Sequence, residues 1–137
     1  LNEYMEFKGF SIKKLNYEIK NEKNQSGKKD TSVKFNIGYG VSEEIEELKK
    51  GHLLVSCYID QFRENSKMEI EVTLEGMFDF PSNSTEEIEQ FIKLNGTTIL
   101  MPYVRNIVSM VSGYDSTKNH FLLPTINVQK LFQNEEF

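Results

Sequence analysis

The chain has 137 residues, with 21 acidic against 16 basic side chains and a formal charge of −5. That length is one domain with room for a real core, here spanning residues 1–137, and the acidic balance argues against a nucleic-acid binder, which needs a basic face to displace counterions. Cys57, the single cysteine, rules out an internal disulfide framework and suits a reducing, cytoplasmic setting. No run is apolar enough for a signal peptide or for membrane insertion. The chain opens on Leu1 rather than on Met, so neither end is taken as the natural one.

Residues 1–20 read as an extended strand. Phe10 and Ile12 point one way with Lys14, while Leu15, Tyr17 and Ile19 keep the opposite phase, so a bulge is expected between Ile12 and Leu15. Residues 21–32, NEKNQSGKKDTS, form a polar loop. Its lysines are interrupted by Glu22 and Asp30 and no aromatic lies among them, which fits a solvated loop better than a phosphate site. Val33, Phe35, Ile37 and Tyr39 alternate with Lys34, Asn36 and Gly38, the signature of a half-buried strand. Residues 42–50 fit either a short helix capped by Ser42 or a hairpin connection.

From His52 to Phe62, Leu53, Val55, Cys57 and Ile59 share one strand face, which makes Cys57 a core residue rather than a nucleophile. ENSK at 64–67 is a turn. From Lys67 to Phe80, Met68, Ile70, Val72 and Leu74 alternate with Glu69, Glu71, Thr73 and Glu75, and Gly76 closes the regular run. The glutamates share a face but lack the His, Asp or second carboxylate strand that a metal or acid–base site needs, so a solvated outer face is expected.

Ser84 and Glu87 fit a capping box for a helix over 84–95 with the stripe Ile88, Phe91 and Ile92, closed by Asn95 and Gly96. A second, central helix follows, capped by Thr97 or Thr98, with Pro102 suited to its first position and Gly113 to its stop. Val104, Ile107, Val108 and Val111 make one stripe, and Tyr103, Ile107, Met110 and Tyr114 lie beside it, which leaves only Arg105, Asn106, Ser109 and Ser112 for water. A helix on a sheet needs one apolar face. This one has nearly two, so a second subunit is expected on the other, with Tyr103 and Met110 in the contact. After a polar loop at 115–119, Phe121 to Leu123 form an apolar segment cut off by Pro124, and Asn127 caps a short last helix carrying Val128, Leu131 and Phe132. His52 and His120 stand far apart and suit surface or turn positions.

The order of elements, strands first and helices last, now resembles a known family. Ile99-Leu100, Pro102-Tyr103, Arg105, Ile107 and Ser109-Met110-Val111-Ser112 look like the hallmark helix of SecB-type export chaperones. Leu122-Leu123-Pro124, Ile126-Asn127 and Leu131-Phe132 are similar to that family's proline segment and second helix, and Gly76-Met77-Phe78 to one of its strand ends. The resemblance implies an α+β fold, a four-stranded antiparallel sheet with two main helices packed on one face, assembled as a homodimer or homotetramer. It further implies a holdase without enzymatic activity, cofactor or metal, whose partners are unfolded polypeptide clients and the motor SecA, or a dedicated partner such as an antitoxin. Val33, Phe35 and Ile37 would line the client groove, with Leu131 and Phe132 in its lid. Ile70, Val72 and Leu74 match the strand associated with subunit contacts, and Glu18 and Glu71 match positions of the acidic motor-docking face. Lys14 departs from that pattern where the family is acidic, and Glu69 where it is apolar.

Overall fold

The computed structural model describes residues 5–21, 30–42, 48–81, 85–116 and 120–133. Four strands, β1 (Glu6–Lys20), β2 (Thr31–Val41), β3 (Leu48–Phe62) and β4 (Lys67–Pro81), form one antiparallel sheet in the order β1-β4-β3-β2. Thus β2, β3 and β4 follow one another as a meander, and β1 closes the sheet beside β4. The expected bulge is present: the β1–β4 register shifts between Ile12 and Lys14, and again between Phe7 and Phe10. At the latter Gly9 has φ 102°, a left-handed conformation that side chains with a Cβ rarely adopt.

The described residues at either end of 42–50 carry the register of a hairpin. Leu48 to Lys50 already belong to β3, and Ser42 faces Lys50, with its N–H donating to the Lys50 carbonyl at 2.7 Å. Residues 43–47 lie outside the described residues, as do the capping-box serine at 84 and most of the loop at 21–32. Gly76 does not end the regular pattern of β4. Phe78 and Phe80 continue it to Pro81, both buried.

One face of β3 and β4 holds the core: Leu53, Val55, Cys57 and Ile59 opposite Ile70, Val72 and Leu74. Helix α1 (Thr85–Phe91), a single π-helical turn (Ile92–Gly96) and helix α2 (Thr97–Gly113) cross that face. Two separate helices were expected, yet Gly96 and Thr97 are both right-handed helical and the backbone runs straight through. Thr97 and Thr98 therefore cap nothing, and Pro102 sits inside a helix rather than at its first position. The buried residues explain this. Ile88, Ile92, Gly96, Leu100, Val104, Val108 and Ser112 are buried at every fourth residue, with Thr97 buried beside Gly96. A strict four-residue repeat drifts round an ordinary α-helix, and one wider i→i+5 turn takes up part of that drift without a loop. The Leu94 carbonyl accepts both the Thr97 N–H and, at 2.8 Å, the Thr98 hydroxyl. Gly51 on β3 admits the helix closely, because a Cβ there would stand 2.3 Å from Ile92 Cδ1.

Of the polar positions of α2 expected to face water, Asn106 does, while Arg105, Ser109 and Ser112 are engaged by the chain that follows. Ser112 is fully buried, donates to the Val108 carbonyl at 2.7 Å and accepts from the Phe121 N–H at 2.8 Å. Arg105 donates to the Leu123 carbonyl at 3.2 Å, and Ser109 meets His120 at 3.1 Å. These residues form the row on which the extended segment after the helix folds back, burying Phe121 and Leu123. That return delivers the last helix, α3 (Val128–Gln133), to β2. Asn127 caps it as expected, its side-chain oxygen accepting from the Lys130 N–H.

A candidate polypeptide-binding groove

β2 turns Val33, Phe35, Ile37 and Tyr39 toward the helix-covered face, opposite Ile59, Cys57, Val55 and Leu53. Because β2 is an edge strand and the helices lie mainly over β3 and β4, its first three apolar side chains are only half-buried. α3 reaches over them. Phe35, Asn36, Ile37, Leu131 and Phe132 line a pocket of about 260 Å³. Four of the five predicted groove residues thus meet at one place. Val33 lies on the same strand face two residues earlier, outside the pocket wall. Phe132 is 8% exposed, and the Lys93 ammonium stands 4.8 Å from its ring centroid, a cation–π contact that seats α3 on the π-turn segment. Asn36, Lys93 and the Arg105–Ser112 docking row were not found from sequence. Their spacing is that of ordinary surface residues, and only the fold-back of the C-terminal segment gives them partners.

A larger depression of about 650 Å³ lies at the β3–β4 turn, lined by Asp30, Gln61, Phe62, Arg63 and Glu64. Among its described lining residues only Phe62 is apolar and the rest are charged or polar, so they offer little surface for apolar side chains to bury.

The predicted subunit-contact residues fall into two groups. Ile70, Val72 and Leu74 are at most 2% exposed, so they stand in the core of this chain rather than on its surface. Tyr103 and Met110 are on the surface. Tyr103 packs on the Phe10 and Phe7 rings of β1 at centroid distances of 4.6 and 6.3 Å, and Met110 and Tyr114 stand open at 52% and 83% exposure. Ile12, Leu15 and Ile19 of β1 are also exposed. This apolar strip runs along the opposite flank of α2 from the pocket.

The outer face of the sheet carries the glutamates, and each meets a lysine of β1. Lys13 pairs with Glu75 at 3.2 Å, Lys14 with Glu71 at 3.2 Å and Lys20 with Glu69 at 3.0 Å. Lys67 adds a 2.8 Å contact to Glu69 and, with Lys20, holds that carboxyl below the usual range. Of the two predicted docking residues, Glu18 is exposed and Glu71 is engaged by Lys14. Among the described residues no group of His, Cys, Asp and Glu is arranged to hold a metal ion. His52 faces Glu75 at 3.5 Å, and Cys57 is fully buried, with its thiol pushed up to about 12 by burial. No helix among the described residues is long and apolar enough to cross a membrane.

Comparison with known proteins agrees with this architecture. A family model described as preprotein translocase subunit SecB matches residues 2–136. An uncharacterised protein of Methanocaldococcus jannaschii is 22% identical over 138 residues, covering 96% of this chain and 84% of its own. Among solved structures, the SecB-like chaperone Rv1957 of Mycobacterium tuberculosis, in complex with a ChAD peptide from the HigA1 antitoxin, superposes with a TM-score of 0.64 at 13% identity, covering 90% of this chain and 91% of that one. A protein of unknown function from Streptococcus agalactiae superposes at 0.60, also at 13% identity, covering 88% and 97%. At such identities the likeness is one of fold.

Proposed function

The chain belongs to the SecB family, and from that premise we propose that it is an ATP-independent chaperone that holds unfolded or pre-export polypeptide in the groove between β2 and α3. The observation that carries this is the meeting of Phe35 and Ile37 with Leu131 and Phe132 around one pocket at a sheet edge. Burial of client side chains there supplies the attraction, at roughly 25 cal/mol per Å² before ordering costs. The net acidic charge keeps a loaded complex soluble and favours basic or unstructured clients. The activity is binding, without catalysis or cofactor, in the cytoplasm. The exposed strip of Tyr103, Met110, Ile12 and Leu15 is the surface on which a second copy packs, giving a homodimer or homotetramer.

A second version of this function is favoured by the sheet's outer face. Lys14 and Glu71 pair with each other where an acidic motor dock would need free carboxylates. A neighbour of the same fold was solved with an antitoxin peptide. Service to one dedicated partner, such as an antitoxin, is therefore the alternative to handover to SecA.

The test is titration of the purified protein with several unrelated unfolded polypeptides, reading binding and suppression of light scattering. Tight binding to several is expected of a general holdase. Binding to one cognate partner alone selects the dedicated version, and binding to no polypeptide overturns both.

A further inference from the structure

The two edges of the sheet differ. β1 is interrupted twice, at Gly9 and near Lys13, and carries Lys8, Lys13, Lys14 and Lys20, devices that discourage another strand from pairing. β2 has none of these interruptions. Its 11 residues hold one unbroken register against β3, with one lysine and no proline.

The hydrogen bonds also fix which backbone groups of β2 face outward. Asp30 accepts from the Phe62 N–H and Ser42 donates to Lys50, both at 2.7 Å. In an antiparallel ladder bonded pairs recur at every second residue, so the even-numbered residues of β2 bond to β3. The N–H and C=O groups of Val33, Phe35, Ile37 and Tyr39 therefore point to the open edge, and among the described residues no strand lies beyond it. These are the same residues whose side chains line the groove face.

We propose that the outer edge of β2 takes up an extended stretch of client polypeptide as a fifth strand, apolar at every second residue and acidic beside Lys34. The inference rests on the polypeptide-binding function above and specifies its chemistry. A client residue bonded opposite Phe35 or Ile37 lies on their side of the sheet, next to the pocket closed by Leu131 and Phe132. The alternate client residues fall on the outer face beside Lys34, Asn36 and Gly38. Lys34 is exposed and forms no ion pair among the described residues, so an acidic side chain has a partner there. A Cβ at Gly38 would touch nothing within 4 Å, so that face is also open to bulk.

The test uses a ten-residue peptide alternating isoleucine and threonine, with one threonine replaced by glutamate. Two further versions carry N-methyl groups, one on the central isoleucine amides and one on the central threonine amides. Methylated isoleucine amides are expected to weaken binding at least about tenfold, from the loss of two edge hydrogen bonds, and methylated threonine amides to leave it within about twofold. Amide exchange at Val33, Phe35, Ile37 and Tyr39 should slow on adding the parent peptide, while Lys34, Asn36 and Gly38 stay as they are. Lys34→Glu should turn the preference from the glutamate peptide to one with lysine at that position.

Equal binding of all three peptides with the odd-numbered amides still exchanging overturns the edge and leaves a groove that works through side chains alone. Protection of those amides in the free protein, growing with its concentration, also overturns it, because a second copy then holds the edge. Failure of every peptide and every unfolded polypeptide to bind removes the underlying function as well.

Discussion

Tyr17 donates a 2.5 Å hydrogen bond to Asp115, across 98 residues of sequence. It fastens β1 to the chain just beyond the C-terminal end of α2, while Tyr103 rests on Phe7 and Phe10 near the other end of the same strand. The strand and the helix are thereby held side by side at two points. Burial, the Asp115 hydrogen bond and its charge all raise the Tyr17 hydroxyl well above its ordinary value. A group whose pKa is raised on folding stabilises the fold fully below its unfolded pKa, about 10 for tyrosine, and loses that contribution as pH rises through the folded value. Tyr17→Phe should cost about 1–2 kcal/mol at pH 7 in urea denaturation and progressively less above pH ~10.

Phe35→Asp should weaken binding of an unfolded client at least about tenfold, since a half-buried aromatic contributes on the order of 1.5–3 kcal/mol when its surface is covered. Circular dichroism should show the fold intact, because Phe35 lies at the sheet edge rather than in the central core. Unchanged client affinity in a folded variant would remove the groove assignment.

Lys93→Met removes the charge that stands over the Phe132 ring. The contact contributes about 0.5–1 kcal/mol to seating α3. Because Leu131 and Phe132 line the groove, loosening α3 should lower client affinity by up to about two- to fivefold. Higher affinity would instead show Phe132 competing with the client for the surface of β2. Fluorescence anisotropy with a labelled client distinguishes the two.

Glu69 accepts hydrogen bonds from Lys67 and Lys20, which hold its carboxyl low. A depressed carboxylate stabilises the fold above its unfolded pKa of about 4.3, and that contribution disappears as pH falls through the folded value. Glu69→Gln should therefore cost a few tenths to about 1 kcal/mol at pH 7, since the pair is near the surface. The gap between variant and parent should close as pH falls below the ordinary glutamate range, as followed by denaturation at pH 7 and in acid.

Deleting Asn95 should convert the π-turn into ordinary helix and leave Ile88 and Ile92 on the sheet, because the wide turn holds one residue more than an ordinary turn and the deletion removes it. Thermal melting should therefore show little change. A loss of roughly 2–5 kcal/mol, as when a buried aliphatic side chain leaves a core, would show that the wide turn is not what carries the extra residue.

The strands were legible because period-two alternation survives wherever one face is covered. The slip between Ile12 and Leu15 even located a bulge. The joined helices were not legible, because Asn95-Gly96 and Pro102 are ordinary stop and start signals. The groove was legible only in part. Phe35, Ile37, Leu131 and Phe132 stand nearly a hundred positions apart, and it was likeness to a family rather than periodicity that joined them. Lys93 and Ser112 stayed hidden because their partners, Phe132 and Phe121, return from a segment with no regular pattern of its own.

Pairing β1 with β4 rather than with β2 sets a timetable for synthesis. β1 is made first, but its partner does not begin until Lys67. At roughly 5–20 residues per second, β1 spends on the order of 2–10 s without its neighbour, with Ile12, Leu15 and Ile19 uncovered. Lys13, Lys14 and Lys20 alternate with those side chains. Before Glu75, Glu71 and Glu69 arrive to pair with them, the same lysines flank those apolar side chains as charged gatekeepers, so each of these three ion pairs has an earlier use as a guard on an unfinished sheet.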